Sequence, residues 1–150
     1  MVELGNIRDK SLAFEPIHRL VVGKNPETVL SQLAKTAGAL EGHRITWVAG
    51  QKTGEIILDR KFEVLPVAAL QSALDDCLPE VGAELDYIHG EASLRKLAQE
   101  DNRLGFLLTA IAKEDFFTGV ALGGVFPRKT FSMGEATDKR YYTEARRIVR

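Results

Sequence analysis

The tightest constraint on the fold is a short link. Arg44–Ala49 and Gly54–Asp59 are both rich in β-branched and apolar residues, and only the run Gly50-Gln51-Lys52-Thr53-Gly54 joins them. Two strands connected so closely pair antiparallel, as a hairpin. A sheet containing this hairpin is therefore mixed rather than purely parallel. Around it, strand and helix patterns alternate. Ile17–Val22 predicts a strand, with Pro16 at its edge or start. Asn25-Pro26-Glu27 supplies a cap, a helix-compatible first residue and an acid in the first turn. Val29, Leu30, Leu33, Ala34 and Ala37 then mark one helical face, and Gly38 stops it. Leu65-Pro66 opens a second helix, with Val67, Leu70, Leu74, Cys77 and Leu78 inward and Pro79 as its end.

Ala83–Ile88 predicts a short strand, followed by a helix with Leu94, Leu97 and Ala98 inward. Leu104–Ile111 reads as a buried strand, Lys113–Leu122 as a helix broken by Gly123-Gly124, and Thr130–Ser132 as a strand. Val2–Ile7 alternates like a strand. Tyr141–Ile148 fits either a strand or a helix, with the strand preferred. The expectation is α+β: a single compact domain over residues 1–150, with a mixed, mostly antiparallel sheet and helices packed on it.

A chain of 150 residues buries about two thirds of its unfolded surface, enough for one core. A net charge of −1 argues against a general nucleic-acid binder. No apolar run approaches the ~20 residues that span a bilayer, and no cationic start marks a signal peptide. Cys77 is the single cysteine, so no internal disulfide forms, and a cytoplasmic, reducing compartment is expected. It falls on an apolar helix face and reads as core. No Cys/His set has zinc spacing, so no metal ligands are assigned. His43 sits in a polar turn and receives no role.

Charge is distributed unevenly. Pro127–Arg150 holds seven Lys/Arg against three Asp/Glu, whereas the preceding residues hold 13 against 18. Concentrated cations point to an anion contact. Arg128 can fork onto a phosphate or carboxylate, Lys129 adds a point charge, and the Thr130 and Ser132 hydroxyls share one strand face. The same pattern also fits a solvated strand edge guarded by Lys and Pro. Lys139 and Arg140, beside Tyr141 and Tyr142, extend the patch or pack amphipathically. His18 and Arg19 point to opposite strand faces. His18 is the candidate acid or base, against a structural histidine as the alternative. His89, where a strand gives way to a helix, is a secondary candidate, against a helix cap.

Four motifs occur in order: Phe14-Glu15-Pro16-Ile17-His18-Arg19, Tyr87-Ile88-His89-Gly90, Gly105-Phe106-Leu107-Leu108, and Pro127 through Ala136. Together they resemble the C-terminal part of a bacterial domain-of-unknown-function family, numbered ten-fifteen and labelled HpaII-like. The resemblance runs across almost the whole chain, and its last motif is the most specific. The N-terminal part of that family carries an Asp-Gly-His-His-Arg motif similar to a ParB/sulfiredoxin-like nucleotide-binding fold, and that motif is absent here. The resemblance implies that residues 1–150 are the C-terminal fragment of a longer two-part protein, which agrees with the abrupt start at Val2. It also implies a nucleotide-dependent reaction in the full-length protein, such as small-molecule phosphoryl transfer with ATP and Mg.

Two expectations follow. In the first, Arg19, Arg128, Lys129, Thr130, Ser132, Lys139 and Arg140 hold a small anionic ligand within a composite site, and His18 and Arg19 approach from a neighbouring strand. The N-terminal half of the same protein then supplies the metal and the base, and the fragment alone does not turn over. In the second, the domain is a non-catalytic interaction module whose basic patch docks that missing half or another subunit. Neither involves nucleic acid or a membrane.

Overall fold

The computed structural model describes residues 13–36, 42–59 and 65–133. The strand readings at Val2–Ile7 and Tyr141–Ile148, the helix stop at Gly38, and the candidates Lys139 and Arg140 lie outside these residues. One long strand, β1 (Phe14–Val22), is the spine. It pairs with β4 (Glu84–His89) along one edge and β5 (Arg103–Leu107) along the other, and its first residues pair with β6 (Phe131–Met133). The hairpin of β2 (Gly42–Ala49) and β3 (Lys52–Asp59) joins through β2 to β5, giving the order β3-β2-β5-β1-β4. Every pairing among the described residues is antiparallel, and the molecule is a single α+β domain. The hairpin turn is tighter than the sequence reading. The strands already pair at Ala49 and Lys52, and Gly50 takes a φ of 58°, the left-handed conformation that a two-residue turn requires.

Two helices cover one face of the sheet. Helix α1 (Pro26–Thr36) starts as its sequence dictates, with the Asn25 Oδ1 accepting the Glu27 N–H at 2.8 Å. It buries Val29 and Leu33 against α2 (Pro66–Val81), whose inward residues include the expected Val67, Leu70, Leu74, Cys77 and Leu78. Pro79 does not end α2. It sits in the last turn, where its missing N–H forfeits one bond, and the helix stops instead at Gly82, whose φ of 67° lets its N–H reach the Leu78 carbonyl. This layer closes over Val21, Ile45, Ile56, Leu58, Leu104 and Phe106. On the opposite face, α3 (Glu91–Leu97) drives Leu94 against Leu20 and Val48, with Ala98 beside it. Burying each such side chain stabilises the fold by about 1.5–3 kcal/mol.

Helix α4 (Lys113–Gly123) docks through an aromatic cluster. Phe116 lies 5.2 Å from Phe14, 5.3 Å from Phe126 and 5.7 Å from Phe131, centroid to centroid. These contacts fold the chain between α4 and β6 back onto the start of β1. The buried strand expected to run to Ile111 ends at Leu107, because the next amide, that of Leu108, donates to the His18 ring nitrogen Nδ1 at 3.1 Å instead of continuing the ladder. His43 is not in a turn. It lies within β2 and is buried, paired across the hairpin with Leu58. No helix among the described residues is long and apolar enough to cross a membrane.

At Gly105 the α3 layer lies close against the sheet. A Cβ there would sit 3.0 Å from Leu94 Cγ and 3.0 Å from Val48 Cγ2. Gly105→Ala is expected to destabilise the protein by about 1–3 kcal/mol through overpacking, read as a lower urea midpoint with an unchanged slope.

Candidate functional site

Arg19 organises the region where the sequence motifs meet. It is fully buried, at 0% exposure. Strand alternation turns it toward α2, and its Nε donates to Gln71 Oε1 at 2.9 Å. Its Nη1 donates to the carbonyls of Ile17, at 2.7 Å, and Lys129, at 3.0 Å, and its Nη2 makes a longer contact of 3.4 Å with the Arg128 carbonyl. The guanidinium carbon lies 4.6 Å from the ring centroid of Tyr87, its cross-strand neighbour. Burial lowers the Arg19 pKa to about 10, and Tyr87 and Asp75 oppose that shift while Arg128 adds to it. The group is still charged at neutral pH. No described carboxylate touches it, and its charge is satisfied by an amide, three carbonyls and an aromatic face.

The consequence is a fixed turn at 127–130. Arg19 clamps two successive carbonyls, the Thr130 hydroxyl donates to the Pro127 carbonyl, and Lys129 is held at a φ of 57°. A left-handed conformation is unfavourable for a side chain like lysine, so the clamp offsets a local cost. Arg128 and Lys129 are exposed, whereas Thr130 and Ser132 are buried. The Arg128 Nε donates to Tyr87 Oη at 3.1 Å, and its guanidinium carbon lies 5.5 Å from the Tyr87 centroid. One ring thus meets two guanidinium groups, one buried and one exposed.

Arg128 also lines a cleft of about 540 Å³, together with Gln71, Ser72 and Asp75 from α2 and Phe126 from the segment before it. Sequence reasoning did not single out Gln71 or Asp75. The signal was a polar residue among the inward positions of α2, four residues after Val67, since a buried glutamine requires partners. Gln71 bridges Arg19 to Asp75, accepting from Arg19 and donating to Asp75 Oδ1 at 2.8 Å.

The two histidines do not join this cleft. His18 lies on the other face of β1, the face of Leu20 and α3, with its Nδ1 accepting from Leu108. Burial pushes its pKa below the ordinary value. Glu91 opposes this, and His89 and Arg19 reinforce it. His89 is half-buried at the end of β4, opposite Ile17. Of the candidates, the structure therefore brings Arg19 and Arg128 together around Tyr87, sets Lys129 beside them, and places His18 elsewhere. Comparison of the chain with family models, curated proteins and solved structures finds no match in any of the three.

Arg19→Met leaves Gln71 and three carbonyls without their donor, and is expected to cost roughly 3 kcal/mol of stability in urea unfolding. Arg19→Lys, a point charge without the fork, is expected to lie between the two. For His18 the folded state favours the neutral ring, because burial penalises the charged form and a protonated Nδ1 cannot accept the Leu108 N–H. Its stabilisation is complete above the ordinary imidazole range and declines as pH falls through that range toward the lowered folded value. His18→Asn, whose Oδ1 replaces Nδ1 as acceptor, is expected to flatten the dependence of the urea midpoint between pH 7.5 and 5.

Proposed function

We propose that the domain holds a small anionic ligand in the cleft between α2 and the 125–128 segment, with Arg128 as the anion contact and Lys129 adding charge. One observation carries this reading. Arg128 is anchored through Nε and by stacking on Tyr87, while no described residue bonds its Nη1 or Nη2. An anchored fork whose Nη1 and Nη2 are unbonded by any described residue is pre-organised for a carboxylate or phosphate. Arg19 supports the site as the clamp that fixes the Arg128 backbone, and Thr130 tightens the same turn. The family resemblance adds a further expectation: the domain is one half of a composite nucleotide-dependent protein, with ATP and Mg bound through the other half, for a reaction such as small-molecule phosphoryl transfer.

Titration calorimetry with inorganic phosphate at low ionic strength tests the reading. Arg128→Gln is expected to weaken binding about tenfold or more, and unchanged affinity would overturn it. The isolated chain is expected to show no ATP turnover. Hydrolysis that survives both Arg128→Gln and Lys129→Gln would contradict the division of labour.

A second reading, a non-catalytic module docking the N-terminal half of a longer protein, draws on a different observation. Phe117 and Leu122 on α4 are exposed, as is Val125 in the cleft lining, at 96%. Large exposed apolar side chains of this kind are a feature of interaction surfaces. In this case a crystal of the two halves together would show side chains of the partner half, not a sulfate or phosphate ion, against Arg128.

A further inference from the structure

Two opposite charges line the cleft without meeting. Asp75 and Arg128 both face the same cavity, yet they form no ion pair with each other, and the ion pairs of the described residues lie elsewhere. Each is held by a third residue. Arg128 is tied to the Tyr87 hydroxyl. Asp75 is tied through one oxygen, Oδ1, to the Gln71 amide. That amide cannot rotate without loss, because its oxygen accepts from the buried Arg19 while its nitrogen donates to Asp75. Asp75 Oδ2 has no described hydrogen-bond partner. The lining also includes the apolar Leu65, Ala68 and Phe126, beside the polar Gln71 and Ser72.

A simple anion in this cleft gains Arg128 but faces the carboxylate of Asp75. A simple cation gains Asp75 but faces Arg128, with Arg19 buried behind Gln71. Only a ligand carrying both signs satisfies both charged groups of the lining. We propose that the cleft is a receptor for a small zwitterion, with Arg128 taking its phosphate or carboxylate and Asp75 its ammonium group. This deepens the anion-site reading and rests on it.

The test is titration calorimetry of the whole chain at low ionic strength with three probes: phosphoethanolamine, methyl phosphate and ethanolamine. Phosphoethanolamine is expected to bind about tenfold tighter than either half-probe, the gain of one charge-assisted contact. Asp75→Asn is the diagnostic variant. Its side-chain oxygen still accepts from Gln71, so the fold is retained, which an unchanged urea midpoint checks. It is expected to weaken phosphoethanolamine about tenfold while leaving methyl phosphate equal or tighter, since the repelling charge is gone. Arg128→Gln is expected to weaken both phosphates. Equal affinity for phosphoethanolamine and methyl phosphate, or a parallel loss of both in Asp75→Asn, overturns the zwitterion proposal and leaves the anion site standing. No binding of either phosphate, with Arg128→Gln without effect, overturns both.

Discussion

A buried guanidinium with no carboxylate partner among the described residues governs this domain. Burying a cation is costly, and the cost is tolerable only when each nitrogen finds an acceptor. Arg19 meets that demand with groups from four separate parts of the chain: its own strand at Ile17, α2 at Gln71, β4 at Tyr87, and the turn at Arg128 and Lys129. The aromatic cluster around Phe116 brings the turn close, and Arg19 then fixes its backbone atom by atom.

The exposed chemistry inherits its geometry from this buried centre. Arg128 is aimed by its own carbonyl, bound to Arg19, and by its Nε, bound to the Tyr87 hydroxyl. Asp75 is aimed through Gln71, whose amide is oriented by Arg19. Both walls of the cleft thus trace back to one side chain. A surface pair assembled from two unrelated loops would lose more freedom on binding than groups already held in place.

Much of the fold was legible because it is written in local patterns. The hairpin, the Asn25-Pro26 helix start and the inward stripe of α2 follow from periodicity and caps. What escaped was what depends on distant partners. The strand after Leu104 stops early because the His18 ring captures the Leu108 amide across 90 residues of sequence. Pro79 was read as a terminator, but in a last turn its missing donor costs a single bond. His43 looked like turn chemistry, yet alternation along β2 carries it inward with Ile45. At the site, the residue types of Arg128 and Tyr87 were visible, but their meeting over 41 positions was not. Gln71 and Asp75 were overlooked because a helix read by its apolar stripe hides the polar residue within it.

The neighbouring positions of Arg19 and His18 have a further consequence. They are consecutive residues of the central strand, and each is matched to a different side of the sheet. Sliding β1 by one place would thrust a charged guanidinium into the leucine-lined layer under α3 and leave an imidazole facing carbonyls shaped for a fork. A slip by one residue satisfies neither, so the two adjacent polar side chains act as a proofreading mark for which side of the spine faces each layer.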